Sequence, residues 1–411
     1  MSTIPLSGDE QRVCDEITSR AGALLDDLSL HVGLPTGGGN VHAIDETRER
    51  FTSRLEALGA ATTIHPGDAR PRWLLGGDAA SDQPLPTAVC DRTTPGAPRL
   101  LIAGHLDTVH DPAGSFRELS IRPGGETAVG PGCVDMKGGL VIAVAALEAL
   151  EACGVPVGWS FLLNADEETG TFESDRVLRQ TAAAHDIGLA LEPALPNGEL
   201  AIERVGSGQF ALEVHGKSAH VGRAFADGIS AVTPLAERIV QIAKLADPDN
   251  GRIVSIGPLR GGNATNAVPD SAWAWGNVRF PTPDIGDELA AALDAMATAE
   301  DAMPRVVVHR AFSRPAKPMI PATERLGLEA RAAAESLGQR LPFAKTGGVC
   351  DGNQMQDAGL PTIDTLGVRG GGLHTPDEWI ELSSLVERCQ LLAVLLMRLA
   401  NGAAATIARP A

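Results

Sequence analysis

The segment LLIAGHLDTV, residues 100–109, decides the fold of this 411-residue chain, because an apolar run ends there at two polar side chains. The run stops at Gly104, and His105 and Asp107 follow, which is typical of a strand that is buried on both faces. Side chains at the carboxyl end of such a strand face the crevice where open α/β sheets bind ligands. Imidazole is a common metal ligand, and a nearby carboxylate can hold its second nitrogen. Alone, this pair is more often a satisfied polar cluster, so its interpretation depends on the rest of the chain.

Four further segments place metal-ligating side chains in loops, mostly after apolar runs. They are GPGCVDMKGGL with Asp135, the pair WSFLLNADEETG and IGLALEP with Glu168 and Glu192, and GVRGGGLHTPDEW with His374. Each residue has an ordinary alternative: Asp135 is a good turn former, a glutamate pair is usually solvated, and a histidine in a glycine-rich loop is usually on the surface. A coincidence at all of these positions is much less probable than any single one. We therefore interpret them together as a metal site.

The donor set has two imidazoles and three carboxylates and contains no thiolate: His105, Asp135, Glu168, Glu192 and His374. Two divalent ions can share these ligands if one carboxylate bridges them. Each Zn²⁺ ion would then have one histidine and carboxylate oxygens, with a position left open for water.

The order of the motifs GHLDT, GPGCVDMKGG, NADEETG, ALEP, GKSAH and GLHTPDE resembles the co-catalytic dizinc metallopeptidase family. That family includes glutamate carboxypeptidase, aminoacylase, acetylornithine deacetylase, succinyl-diaminopimelate desuccinylase and the aminotripeptidases. The resemblance extends over about residues 10–400. It is greatest for the carboxypeptidase G type, through GPG before Asp135, GTFES after the glutamate pair, and SRPA further on.

The resemblance implies a role for each candidate ligand. Asp135 would bridge two metals, which we expect to be Zn²⁺, with Co²⁺ or Mn²⁺ as alternatives. His105 and Glu192 would complete one metal site, and Glu168 and His374 the other. The peptide bond after Asp135 is expected to be cis in this family.

The catalytic groups follow from the chemistry and from the resemblance. Water between two Zn²⁺ ions is acidified toward neutrality, so a metal-bound hydroxide is available near pH 7. Glu167 adjoins the ligand Glu168, and it can accept a proton from this water and pass it to the leaving amine. The resemblance implies that Asp107 orients His105. The sequence has no Tyr, which excludes a phenol as the oxyanion donor. His220 in GKSAHVG is the favoured donor, because the family's small domain supplies a histidine at this motif, often from the partner subunit.

Substrate contacts have a thinner basis in the sequence. Asn266 and Arg279 lie where similar carboxypeptidases hold the substrate's carboxylate and carbonyl, and SRPA offers Arg314 for the same task. Arginine suits a carboxylate because its planar fork donates two parallel hydrogen bonds. Each arginine could equally be a solvated surface residue. Cys350 in TGGVCDGN stands where the family usually has Ser or Thr, which places a thiol near the metals that would be sensitive to oxidation if exposed.

Composition limits the class of protein and its partners. The formal net charge of −18 argues against nucleic acid and against anionic membranes as partners. The six cysteines are scattered without a CxxC pair, which fits neither a disulfide framework nor a thiolate metal site and favours a reducing cytoplasm. The amino terminus lacks the basic start and apolar core of a signal peptide. We also expect no apolar run to reach the ~20 residues that a membrane helix requires.

The order of apolar runs predicts an α/β protein of two domains. Strands alternate with helices up to about residue 195, which predicts a catalytic domain with a mostly parallel sheet. Near residue 205 the pattern of apolar residues changes to a βαββαβ-like order. This order predicts an inserted α+β, ferredoxin-like lid or dimerisation domain over residues 205–313. Residues 1–204 and 314–411 would form the catalytic domain. Within it, residues 9–28 and 44–58 are predicted as amphipathic helices. The resemblance implies a homodimer formed through the insert.

The sequence therefore predicts a cytoplasmic, metal-dependent hydrolase that cleaves an amide or peptide bond next to a free carboxylate. Carboxypeptidase-like action on a small peptide is preferred. The alternative is an N-acyl-amino-acid deacylase of the acetylornithine deacetylase kind, which would use the same metals and base. A non-catalytic binding relative is disfavoured, because such proteins would be expected to lose the base or a ligand, whereas Glu167 and all five ligand positions are filled here.

Overall fold

A computed structural model describes residues 5–75 and 83–407 of the chain. The helices are α1 (Gly8–Ser19), α2 (Ala21–Val32), α3 (Val41–Ala57), α4 (Gly138–Ala152), α5 (Asp175–Ala183), α6 (Val221–Ala224), α7 (Val232–Ala243), α8 (Pro283–Asp294), α9 (Pro321–Ser336), α10 (Asp351–Asp357), α11 (Ser383–Arg398) and α12 (Ala404–Ile407). The strands are β1 (Ala61–His65), β2 (Thr87–Arg92), β3 (Leu100–His105), β4 (Ser120–Ile121), β5 (Thr127–Val129), β6 (Trp159–Asn164), β7 (Ile187–Ala190), β8 (Leu200–Arg204), β9 (Gly206–His215), β10 (Ile253–Gly261), β11 (Ser271–Phe280), β12 (Arg305–Arg314), β13 (Phe343–Thr346), β14 (Thr362–Ile363), β15 (Gly370–Gly371) and β16 (Trp379–Glu381).

The central sheet has six strands in the order β1-β2-β6-β3-β7-β14. The pairings of β6 with β3, β3 with β7, and β7 with β14 are parallel, whereas β1 and β2 add antiparallel pairings at one edge. The sheet is therefore mixed but mostly parallel, and the predicted α/β class is confirmed.

Strand β3 shows why the opening motif forms the centre of this sheet. All six of its residues are buried. Leu100 and Ile102 pack in the core cluster that includes α4 and α11, whereas Leu101 and Ala103 pack with α5 and α10 on the opposite face. Burial of each Leu or Ile side chain contributes about 1.5–3 kcal/mol. Because both faces of β3 are covered, its position is fixed. Its last residue, His105, therefore has a defined position at the end of the sheet where the parallel strands have their carboxyl ends.

The inserted region forms a second, antiparallel sheet in the order β10-β11-β9-β12. Helix α7 lies in the chain between β9 and β10, and α8 between β11 and β12, which gives the expected βαββαβ order. This unit has its own core of buried side chains, among them Phe210, Leu212, Val278 and Leu293. The sheet extends over residues 206–314. The exact domain limits at 205 and 313 stay predictions.

The amino-terminal helix prediction is wrong in one respect. Residues 9–28 do not form one helix, because the chain breaks at Arg20, with φ −96° and ψ 9°, between α1 and α2. The break changes the direction of the chain, so that Ile17 of α1 and Leu24 of α2 both reach the same core. The next helix, α3, begins earlier than predicted, because the side chain of Asn40 accepts a hydrogen bond from the Ala43 N–H and caps the helix.

The carboxyl-terminal helical segment corrects the expectation about apolar length. Residues Ser383–Ile407 are 25 residues long and are apolar enough to cross a membrane by length and composition alone. In the fold, however, 56% of its most apolar stretch is buried inside the protein, and α11 packs against α4 and α1. A core helix of a globular protein has these properties, so the segment is weak evidence for a membrane span.

Candidate metal centre

The five predicted ligands come together as two triads that share Asp135. His105 Nε2 lies 3.3 Å from Asp135 Oδ1 and 4.0 Å from Glu192 Oε1. His374 Nε2 lies 3.5 Å from Asp135 Oδ2 and 3.3 Å from Glu168 Oε2. Within each triad the potential ligand atoms all lie within 4.8 Å of one another. The two oxygens of Asp135 thus face different triads, which is the arrangement of a bridging carboxylate.

Three of these ligands follow the carboxyl ends of adjacent parallel strands. His105 ends β3, Glu168 follows β6, and Glu192 follows β7. The fold therefore brings them to one edge of the sheet, as open α/β sheets do with their ligand sites. His374 lies in the loop after β15 and has a positive φ of 62°. This left-handed conformation is uncommon for residues other than glycine, and such residues cluster at functional sites.

Asp135 lies in an irregular turn that Glu378 holds in place. The Glu378 carboxylate is buried and accepts backbone N–H bonds from Gly132 at 2.9 Å, Val134 at 2.9 Å and Asp135 at 3.0 Å. His110 Nε2 lies 2.6 Å from the same carboxylate. The peptide bond between Asp135 and Met136 is cis, as the resemblance implies. Glu378 was not predicted as a functional residue, although it lies in the motif GLHTPDEW, which also contains His374.

Asp107 links the first triad to the loop that follows β6. Its carboxylate accepts the backbone N–H of Glu167 at 3.3 Å and of Glu168 at 3.0 Å, and Oδ1 lies 3.4 Å from His105 Nδ1. His105 Nδ1 also lies 3.0 Å from the Asp107 carbonyl oxygen. Because a carbonyl can only accept, Nδ1 carries the proton and the lone pair of Nε2 faces the triad.

The electrostatics of the centre favour cations. Burial and the neighbouring carboxylates raise the pKa of Glu192 well above its ordinary value, and burial also raises the pKa of Glu168. Burial acts in the same direction on Asp135, but hydrogen bonds with His105 and His374 lower its pKa. Glu168 Oε1 is buried and has no hydrogen-bond partner among the described residues. Buried carboxylates this close together need a positive charge between them.

The donor types also fit two divalent metal ions. Imidazole nitrogen and carboxylate oxygen suit Zn²⁺, and a set without thiolate is compatible with Co²⁺ and Mn²⁺ as well. The orphaned Glu168 oxygen and the shared Asp135 carboxylate would then be satisfied.

Glu167 lies beside the triads with its side chain largely buried. Burial raises the pKa of Glu167 to about 8, against the opposing effect of Arg314. Arg314 Nη2 lies 2.7 Å from Glu167 Oε1, while its Nη1 binds Asp351 at 2.8 Å and Gln354 at 2.9 Å. Arg314 was predicted to bind the substrate, but the structure commits both of its terminal nitrogens to protein groups. A direct contact of Arg314 with substrate stays a prediction.

A cavity of about 640 Å³ lies over the centre. Four of the five candidate ligands line it, all except His105, and so do Glu167 and Arg204 of the catalytic domain. The antiparallel sheet of the inserted region, here called the lid sheet, contributes Ser207, Gln209, Asn277 and Arg279. Arg279 Nη1 is buried and has no hydrogen-bond partner among the described residues. Burial and the nearby Arg314 lower the pKa of Arg279, which means that they disfavour its charged form. A bound anion would stabilise this charge.

His220 and Asn266 lie together on the lid domain but away from this cavity. The Val221 N–H donates to the Asn266 carbonyl at 3.0 Å, and His220 forms a β-bridge with Ala267. Both side chains are exposed, and neither lines the cavity. A single chain therefore does not bring these two predicted residues to the centre.

Cys350 is fully buried at the start of α10. Its Sγ accepts the Gly352 N–H at 3.3 Å, and burial raises the pKa of the thiol well above its ordinary value. Cys350 does not line the cavity, although Thr346, Gly348 and Val349 of the same loop do. The loop turns the Cys350 side chain into the protein and away from the cavity, and a substrate contact of Cys350 stays a prediction. The buried thiol also lacks the exposure that oxidation requires.

The geometry agrees with comparisons to known proteins. Residues 101–398 match Peptidase family M20/M25/M40, and the chain belongs to this family. It is 27% identical over 393 residues to carboxypeptidase G2 from Pseudomonas sp. (strain RS-16), covering 94% of this chain and 91% of the relative. It is 31% identical over 315 residues to succinyl-diaminopimelate desuccinylase from Methylorubrum populi (strain ATCC BAA-705 / NCIMB 13946 / BJ001), covering 70% and 79%. The fold is similar to the di-peptidase Dug1p from Saccharomyces cerevisiae, with a TM-score of 0.71, 14% identity, and coverage of 96% and 99%.

These findings confirm the family resemblance predicted from the sequence. The protein is an M20 metallohydrolase with a dinuclear metal site.

Proposed function

We propose that this enzyme uses two zinc ions to cleave an amide or peptide bond next to a free carboxylate, in the manner of a carboxypeptidase. One observation carries the proposal: the two triads that share Asp135 open into the same cavity as Arg279, whose Nη1 has no hydrogen-bond partner in the part of the chain that the structure describes. A reaction centre for amide hydrolysis and an unsatisfied carboxylate-binding group therefore face one substrate space. Zn²⁺ is the expected ion because of the donor set.

The residues of the chain divide the work of hydrolysis. When bound, the two cations would acidify water and polarise the scissile carbonyl. Glu167 accepts the proton of the attacking water and returns it to the leaving amine nitrogen. Arg314 keeps the Glu167 carboxylate directed into the site by its 2.7 Å contact. Asp107 fixes the backbone of Glu167 and the ring of His105 together, so the base keeps its position relative to the ligands.

Arg279 is the proposed clamp for the substrate's carboxylate. It extends from β11 of the lid sheet, and it lies opposite Ser207 of β9 in the register. A carboxylate bound to the guanidinium fork would satisfy the buried Nη1 and hold the amide at a fixed distance from Glu167. This arrangement supports selection for substrates with a free carboxylate.

The oxyanion donor is proposed to come from a second copy of the chain. His220 and Asn266 are exposed on the lid and do not reach the cavity of their own chain. The active enzyme is therefore proposed to be a homodimer formed through the lid domain, in which the partner subunit would supply this donor. The cytoplasmic location also stays a prediction.

An N-acyl-amino-acid deacylase is the second candidate. The similarity to a succinyl-diaminopimelate desuccinylase favours it, because that relative's name describes removal of an acyl group. The two activities use the same centre and differ in which side of the amide the cavity selects.

An activity screen with matched substrates tests the proposal. Purified enzyme is assayed with Zn²⁺ or Co²⁺ on dipeptides and N-acyl amino acids, each paired with its α-carboxamide. We expect hydrolysis of the acids, with the amides slower by about 10-fold to 100-fold, since a charged hydrogen-bonded contact is lost. Equal turnover of the acids and their amides would contradict the carboxylate clamp. No turnover of any member, with metal bound, would contradict amide hydrolysis itself.

A further inference from the structure

The chain passes between the catalytic domain and the lid sheet twice, and these two crossovers lie side by side. The first crossover, residues 204–206, joins β8 to β9, and the second, residues 314–318, follows β12. Arg204 and Lys317 exchange backbone hydrogen bonds of 2.9 Å, which form an antiparallel bridge between the crossovers. The position of the lid sheet on the catalytic domain therefore depends on what holds these two segments.

Asn353 of α10 holds both crossovers with a single side chain. Its Nδ2 donates to the Val205 carbonyl at 3.0 Å and to the Pro315 carbonyl at 2.7 Å. Its Oδ1 accepts the Cys350 N–H at 3.0 Å, at the start of the same helix. The Asn353 side chain is completely buried. Because a carboxamide has two N–H donors and an acceptor oxygen, it can make all three of these bonds at once.

A buried ion cluster holds the same two crossovers at a neighbouring point. Arg204 Nε and Nη2 donate to Asp364 Oδ1 at 2.9 and 2.7 Å, and Lys317 Nζ lies 3.3 Å from Asp364 Oδ2. All three side chains are buried, and Asp364 directly follows β14 of the central sheet. Removal of one member would leave buried charges without a partner and destabilise the whole fold. Asn353 is the uncharged contact at this joint, so its substitution can change the position of the lid without that penalty.

The row of lid residues next to the crossovers includes the proposed carboxylate clamp. Ser207 of β9 lies two residues after Val205. It pairs with Arg279 of β11 on one side and with Arg314 of β12 on the other. Ser207, Arg279 and Arg314 all line the cavity. A shift of the crossovers would therefore move Arg279 relative to the metal ligands, which belong to the catalytic domain.

We propose that Asn353 is a positioning residue that fixes the lid sheet on the catalytic domain and thereby sets the distance between Arg279 and the metal centre. The inference rests on the proposed function, in which Arg279 binds the carboxylate of the substrate. Asn353 does not line the cavity and acts through the two crossovers. A misplacement of about 1 Å can lower a rate on the order of 100-fold, so a small shift of the lid has a measurable effect.

The variant Asn353→Asp tests this role with little change in side-chain size. One carboxylate oxygen can still accept the Cys350 N–H, but the other faces two carbonyls to which it cannot donate. The assay compares an N-acyl amino acid with its α-carboxamide in the zinc-loaded enzyme. The acid-to-amide ratio of kcat/KM should fall by about 10-fold in the variant, mostly through a higher KM for the acid. A general loss of folded enzyme would lower both rates equally and leave this ratio unchanged.

A distance measurement between the two domains tests the role without substrate or metal. Nitroxide labels are attached to Leu328→Cys on α9 and Ala291→Cys on α8, two exposed positions. The background carries Cys153→Ser, because Cys153 is only half-buried whereas the other five cysteines are buried. Labelled protein is diluted with unlabelled protein, so that distances within one chain are measured. Double electron–electron resonance should give a single narrow distance distribution when Asn353 is present, and a broader or shifted one for Asn353→Asp.

Asn401→Asp is the matched control, because Asn401 is exposed near the carboxyl end of the chain, and it should keep both the ratio and the distance distribution. Asn353→Ser removes both donated bonds without adding a charge, and it replaces Asn353→Asp if that variant does not fold.

The outcomes separate this inference from the proposed function. An unchanged distance distribution in a folded variant would overturn the positioning role, as would a broad distribution in the protein that retains Asn353. A changed distribution with an unchanged ratio would overturn the link to Arg279. If the unsubstituted enzyme hydrolyses acid and amide equally, the proposed clamp fails, whereas the distance measurement still decides whether Asn353 fixes the lid.

Discussion

Glu378 is expected to determine both the stability of the Asp135 turn and the affinity of the metal site. Its carboxylate accepts three backbone N–H bonds, from Gly132, Val134 and Asp135, and it contacts His110. Replacement by Gln keeps the size of the side chain but puts an NH₂ group where one oxygen was. The variant Glu378→Gln therefore removes acceptors without creating a cavity.

The magnitude follows from the individual hydrogen bonds. The amide oxygen can still accept from Val134 and Asp135, and His110 can change tautomer to accept from the NH₂ group. The Gly132 N–H then has no acceptor, which costs about 1–3 kcal/mol for a buried donor. The two remaining bonds lose their charged acceptor, at about 1 kcal/mol each. We expect the free energy of unfolding to fall by about 3–5 kcal/mol, and metal affinity to fall by about 10-fold to 100-fold as Asp135 loses its support.

Two measurements test this expectation. Urea unfolding of the metal-free protein gives the change in stability, and calorimetric titration with Zn²⁺ gives the change in affinity. Asp377→Asn is the matched control, because the neighbouring Asp377 is exposed; it should change stability by less than about 0.5 kcal/mol. If Glu378→Gln matches this control in both stability and zinc affinity, the reasoning about the turn is refuted.

Four further outcomes are expected. Glu167→Gln should keep both metals, measured by elemental analysis, while kcat falls at least 100-fold; retained turnover would show that the base is another group. Arg279→Met should raise KM for carboxylate substrates by about 10-fold to 100-fold, and an unchanged KM would remove it as the clamp. His220→Ala should lower kcat without loss of zinc, and mixing it with Glu167→Gln subunits should restore part of the activity if the dimer shares its sites; no restoration would argue against the shared site. Chelation of the metals should abolish activity and lower the melting temperature, because the buried carboxylates lose their counter-charge, and an unaffected melting temperature would contradict that account.

The ligands could be predicted from the sequence because each signal is local. His105, Glu168 and Glu192 directly follow buried strands, so the hydrophobic pattern that predicts the strand also places the ligand at its end. The grouping into two triads required the family resemblance, since spacing alone does not say which histidine faces which carboxylate.

The supporting contacts could not be predicted because they join distant parts of the chain. Glu378 binds backbone groups that lie 243 to 246 residues away, and Arg204 binds Asp364 across 160 residues. The periodicity of apolar residues in the sequence does not indicate which distant residues form these contacts. The break at Arg20 was missed for a related reason: no proline stands there, and the change of direction depends on where the core lies.

The single carboxylate of Asp107 has a consequence for how such enzymes diversify. It holds the backbone of both the proposed base Glu167 and the candidate ligand Glu168, and it contacts the ring of His105. Any shift of this anchor moves base and ligands in concert, so their mutual spacing survives changes elsewhere. Substitutions in the lid strands would then change which substrates the cavity accepts, while the relative positions of His105, Glu167 and Glu168 stay the same.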